Sequence, residues 1–106
     1  MVAQPSRYHV VISPLASRDL DQIHDHIHRD SPQNAASVIL EMMLAIDGLA
    51  EFPHRFRVSS QIRSRGEVRV MPIWPYLLYY RIMEPQQAVR VITIRHGARR
   101  QPRRLD

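Results

Sequence analysis

The chain has 106 residues, enough for one domain to bury an ordinary core without covalent staples and too few for two. It contains no cysteine, which excludes disulfides and thiolate metal sites and permits a reducing compartment. The formal charge is +5, and all fifteen cationic residues are arginine.

The charge is unevenly spread. Residues 1–52 hold three arginines against seven acids, whereas residues 53–104 hold twelve against Glu67 and Glu84 alone. Arginine keeps its charge and presents a rigid fork to phosphate or carboxylate. The strongly basic second half therefore predicts an anionic partner, either nucleic acid or an acidic protein segment. No apolar run reaches membrane-spanning length and the first residues lack the apolar centre of a signal peptide, so a cytoplasmic protein with no membrane partner is expected.

Taken in order, Tyr8 to Ser13 is a short β-branched run that predicts a first strand. Ser13-Pro14 then supplies an N-cap followed by proline at the first helical position, where the missing N–H costs nothing. Ala16, Leu20, Ile23 and Ile27 recur at helical steps and place one apolar stripe on a helix ending near Arg29-Asp30. Ser31-Pro32 repeats the cap signature. A second helix with a wider stripe, Ala35, Ala36, Ile39, Met42, Met43, Ile46 and Leu49, should follow and be closed by Phe52-Pro53. Met42 and Met43 are both expected in the core. His24 and His28 share a helical face near Asp21 and Asp25, but no general base lies between them, so a solvated face is expected and no metal.

Residues 54–65 are polar and arginine-rich and read as a surface loop. Three strands then follow in close succession. Val68, Val70 and Ile73 precede Trp74-Pro75, Tyr76 to Met83 is aromatic and aliphatic, and Ala88 to Ile94 is β-branched beyond the polar turn Glu84-Pro85-Gln86-Gln87. An antiparallel meander is the simplest joining. Tyr76, Leu78, Tyr80 and Ile82 then oppose Leu77, Tyr79 and Arg81 across the sheet, and two apolar faces suggest a central strand. The tyrosines are expected in the core. After Gly97 the segment ARRQPRRLD has no apolar period, and residues 100–106 are expected to be a flexible tail.

The order β-α-α-β-β-β predicts a single α+β domain over residues 1–106, with a helical hairpin packed on a small, mainly antiparallel sheet. This order, the helix signature Ala16, Asp19-Leu20, Ile23 and Ile27, Ser31-Pro32 with Ala35, Leu49 with Phe52-Pro53, Arg69, the Tyr76 to Ile82 strand, and Val91 to Ile94 leading into His96-Gly97-Ala98-Arg99 together resemble the RelE/ParE toxins of type II toxin-antitoxin systems. The resemblance implies a cognate antitoxin bound as a hetero-oligomer, no cofactor, and one of two targets. RelE-like members cut messenger RNA on the ribosome, and ParE-like members poison DNA gyrase.

Metal-independent RNA cleavage needs a base, an acid and cations on the phosphate, and arginine supplies only the cations. RelE-like nucleases usually carry arginine after the tyrosine opening the third strand and an aromatic base in the C-terminal segment. Here Leu77 follows Tyr76, and no tyrosine or histidine follows Arg99. The Tyr80-Arg81 pair and His96-Gly97 followed by arginine fit the ParE-like pattern better, which implies a gyrase poison without chemistry of its own. In that reading Arg69, Arg81, Arg99 and Arg100 are the candidate target- or antitoxin-binding residues. In the nuclease alternative Arg69, Arg81, His96 and Arg99 would be the catalytic set.

Overall fold

A computed structural model describes residues 7–60 and 66–97. Its elements are β1 (His9–Ile12), α1 (Pro14–His28), α2 (Pro32–Gly48), a 3-10 turn (Pro53–Arg55), β2 (Arg69–Ile73), β3 (Tyr76–Met83) and β4 (Ala88–His96). Both helices begin as their caps dictate. The Ser13 hydroxyl accepts from the Ala16 N–H at 3.1 Å and the Ser31 hydroxyl from the Asn34 N–H at 3.2 Å, each with proline next in line.

The strands form one sheet in the order β1-β4-β3-β2. β2, β3 and β4 are the expected antiparallel meander, and β1 adds to β4 in parallel, pairing His9 with Ala88 through Ile12 with Val91. β3 is central, as its two apolar faces require. In the turn before β4, Gln87 adopts φ 51°, the left-handed region.

β1 stops at Ile12, yet β4 runs five residues beyond Val91, so its edge would carry bare polar backbone. The start of α1 takes over that edge. The Ser13 N–H donates to the Val91 carbonyl at 3.0 Å, and the Ser13 hydroxyl donates to the Ile92 carbonyl at 2.7 Å. The Asp19 carboxylate, 9 % exposed, then accepts from the Thr93 hydroxyl at 2.6 Å and from the Ile94 N–H at 2.9 Å. These bonds fall where β4 is irregular. Tyr79 pairs with Thr93 but Tyr80 pairs with Val91, so Ile92 is an extra residue in β4, a β-bulge.

The core lies between the hairpin and one sheet face. Ala16, Ile23, Met42, Ile46 and Leu49 from the helical layer meet Met71, Ile73, Tyr76, Leu78, Tyr80, Val89, Val91 and Ile94 from the sheet. All three candidate tyrosines are buried, Tyr76 and Tyr80 on this side and Tyr79 on the other. The expected stripe of α2 is narrower than its sequence suggests. Met42 is fully buried, but Met43 is 40 % exposed and Leu40 and Leu44 more so, because Met43 lies about 80° around the helix from the Met42–Ile46 line and Leu40 and Leu44 about 140° or more.

Tyr80 closes the far side of the core by donating its hydroxyl to the Pro53 carbonyl at 2.5 Å, which fixes the turn after α2. Burial pushes its phenol from 10.0 up to about 12, against the opposing pull of Arg69 and Arg55. A raised pKa in the folded state means that the protonated phenol's contribution is complete below the unfolded value and is lost as pH rises through the folded one. Stability measured by urea unfolding should therefore fall between pH 10 and 12, with a shallower fall in Tyr80→Phe. Asp19→Ala leaves the Thr93 hydroxyl and the Ile94 N–H buried without their acceptor, and urea titration near neutral pH should show a loss of about 3 kcal/mol.

Candidate target-binding face

The arginines singled out in the sequence are sorted by strand alternation. Arg69 pairs with Tyr80, so it shares the helix-covered side of the sheet, whereas Arg81 follows Tyr80 and turns to the opposite side, where Arg90 pairs with it. Two strand arginines on one face would make an anion site, but Arg69 and Arg81 do not share a face. Arg69 is occupied structurally. Its guanidinium donates to the carbonyls of Phe56 at 2.7 Å and His54 at 3.1 Å and lies 3.8 Å from the Glu67 carboxylate. It thereby pins the chain after α2 to β2.

The two arginines approach the same recess only at the strand ends, a cleft of about 350 Å³. It is lined by His54, Glu67 and Glu84 as well as by Arg69 and Arg81, so its charges largely cancel. Glu84 is engaged there by His54 at 2.8 Å and by the Tyr8 hydroxyl at 3.0 Å.

His96 lies at the other end of the sheet. It pairs with Tyr76, its ring edge-on to the tyrosine at 5.4 Å, and helps line a second cleft of about 330 Å³ with Asp19, Gln22, Ile23 and His26 of α1. Arg81 is five residues along β3 from the Tyr76–His96 pair, roughly 16 Å away and facing the other side. Arg69, Arg81 and His96 are thus not one constellation. Arg99 and Arg100 lie outside the described residues, as does the expected tail.

The face away from the helices holds what the sequence reading missed. Val68, Val70 and Tyr79 form a small buried cluster there with Leu77 and Ile92 packed against it. Around it stand Arg81 and Arg90, paired across β3 and β4, Arg95 paired with Leu77, and Arg57, which together with Arg95 acts electrostatically on the Tyr79 phenol. Arg90 and Arg95 are five apart, a spacing that puts two residues on opposite faces of a regular strand. The extra residue at Ile92 restores their phase, and a bulge has no sequence signature here. Burial pushes the Tyr79 phenol above 10.0, with Arg57 and Arg95 pulling the other way, so it is held protonated and poorly suited to act as a base.

Most of the described carboxylates lie on the helical layer. Asp19, Asp21, Asp25, Asp30, Glu41, Asp47 and Glu51 belong to the helices or their ends, Glu67 lies beside Arg69, and Glu84 is held by Tyr8 and His54. Among the described residues no three His, Asp or Glu side chains are placed to hold a metal ion. His24 and His28 stack at 5.3 Å on the outer side of α1, and His24 lies 3.3 Å from Asp25. No described helix is long and apolar enough to cross a membrane.

The comparisons with known proteins agree with this architecture. Residues 10–101 match the family model described as ParE toxin of type II toxin-antitoxin system, parDE. The chain is 36 % identical over 90 residues to Y4kP of Sinorhizobium fredii, covering 85 % of this chain and 88 % of that one. It is also 36 % identical over 84 residues to toxin RelE2 of Caulobacter vibrioides, covering 79 % and 89 %. Among solved structures, the chromosomal ParDE toxin-antitoxin system from P. aeruginosa superposes with a TM-score of 0.68 at 18 % identity, covering 86 % of this chain and 97 % of that one. The toxin-antitoxin complex RelBE2 of Mycobacterium tuberculosis does so with a TM-score of 0.54 at 25 % identity, covering 85 % and 98 %. A match to the family model over nearly the whole chain, carried on the two-helix, four-strand fold described above, places this protein in the RelE/ParE family of type II toxins.

Proposed function

We propose that this toxin acts by binding, as a ParE-like inhibitor of DNA gyrase, and that a cognate antitoxin neutralises it by laying an acidic segment on the arginine-rich face. One observation carries the reading. The arginines facing away from the helices surround Tyr79, a phenol held protonated, while His96 faces α1 at the far end of the sheet. Arg57, Arg81 and Arg90 stand apart from the cleft that His96 lines, with the protonated Tyr79 phenol among them, and cations so placed suit recognition better than cleavage of a phosphodiester. The family model that matches is that of ParE, which supports the same choice.

An acidic segment suits this face for two reasons. Arg57 and Arg90 are exposed and offer bidentate donors to carboxylates, and the half-buried Leu77 and Ile92 offer apolar contact area between them. A disordered acidic segment that folds on binding would neutralise the charge that the fold collects there. The antitoxin and the target would then be drawn to one half of the molecule by the same charges.

Two readouts taken together on induction in cells test the reading. Gyrase-trapped DNA breaks without codon-phased messenger cleavage are expected, and His96→Ala should remain toxic. Messenger cleavage on translating ribosomes that His96→Ala abolishes, with gyrase unaffected, would reverse the assignment to the ribonuclease alternative. Replacing Arg81 and Arg90 by Gln should weaken antitoxin binding by about tenfold or more, and the loss should shrink in high salt, as titration calorimetry at two ionic strengths would measure.

A further inference from the structure

We infer that Trp74 is the anchor by which this toxin grips an acidic protein surface on its target, an inference that rests on the reading of the chain as a binding inhibitor. Trp74 is the single tryptophan of the chain, and it is 75 % exposed at the turn between β2 and β3. The ring is held rather than loose. It lies against Gly97, where an added Cβ would stand 3.0 Å from the indole Cζ3 and 3.1 Å from the Pro75 carbonyl oxygen. The Gly97 N–H in turn donates to that carbonyl at 2.6 Å, tying the end of β4 to the turn. A Cβ at this position would be tight against both the indole and the turn, so glycine eases the close approach by which the β4 end backs the ring. A large aromatic group displayed in water on a braced turn has the character of an interface anchor, since little conformational freedom is lost when it enters a pocket.

The surroundings name the partner's chemistry. Arg95 and His96 belong to the same end of the sheet, and His26 and Gln22 line the adjoining cleft. The carboxylate there, Asp19, already accepts from Thr93 and Ile94. An apolar pocket bordered by carboxylates complements this end in shape and sign. A single-stranded nucleic acid fits less well, because stacking platforms align successive rings and the neighbouring Tyr76 is buried edge-on to His96.

The test uses the full chain with Trp74→Ala, Trp74→Phe and Gly97→Ala, each checked for an unchanged circular dichroism spectrum and solubility. Growth arrest in the absence of antitoxin should be lost in Trp74→Ala, partly kept in Trp74→Phe, and reduced in Gly97→Ala, which retains the indole but displaces it. Inhibition of supercoiling by purified gyrase should weaken at least tenfold in Trp74→Ala while antitoxin binding changes less than threefold. Unchanged toxicity of Trp74→Ala at equal soluble level would overturn the proposal and leave the gyrase reading standing. A wild-type chain that arrests growth without inhibiting gyrase would remove that reading, and the toxicity of Trp74→Ala would still decide the role of the indole. Labelling with 5-fluorotryptophan gives one fluorine resonance. A shift on adding single-stranded RNA or DNA alone would overturn the protein partner, as would a dimer in sedimentation that Trp74→Ala abolishes.

Discussion

The bonding of Ser13 and Asp19 to the free edge of β4 is the constraint on which the rest of the structure depends. A strand edge exposes donors and acceptors that must be met by water, by another strand or by side chains. β1 covers β4 as far as Val91, and from there Ser13 and Asp19 meet Ile92, Thr93 and Ile94 in turn. The same contacts fix where α1 starts and how it lies along the sheet, so the cap that begins the helix also seals the edge. They also hold the bulge at Ile92 in place, and the bulge decides which residues of β4 face which way.

From that bulge the division of the molecule follows. Before it, Val89 and Val91 face the helices and Arg90 faces away. After it, Ile94 again faces the helices and Arg95 returns to the side of Arg90. The basic half of the sequence thereby becomes a basic face, with Arg57, Arg81, Arg90 and Arg95 around the cluster of Val68, Val70 and Tyr79. The acids gather on the helical layer. Charge is separated across the thickness of the two-layer fold, which favours an anionic partner on one side and leaves the other side available for different contacts.

Not every arginine joins that surface. Arg69 is spent on two carbonyls of the segment after α2, and Tyr80 bonds a third, so these two side chains hold the 3-10 turn against the sheet. Both start from positions that look functional in a strand. Their bonds to carbonyls of the chain after α2 show that a polar group on a covered face serves the fold first. On the helical side, Leu40, Met43 and Leu44 leave apolar area in water, since the hairpin buries only one side of α2.

The sequence by itself determined the order of the elements, the two helix starts and the meander. Each is written in local chemistry: serine and proline at Ser13-Pro14 and Ser31-Pro32, period-two alternation in Tyr76 to Met83, and turn residues at Glu84 to Gln87. It also determined the basic half and the tyrosine core. Only the tertiary structure decided that Arg69 and Arg81 turn to opposite faces, that His96 stands far from both, and that Arg90 and Arg95 share a side. Those outcomes depend on register between strands and on one inserted residue in β4, which are set by long-range pairing and leave no mark on neighbouring residues. The exposure of Met43 and Trp74 has the same origin, because whether an apolar residue is covered depends on what packs above it and not on its own period.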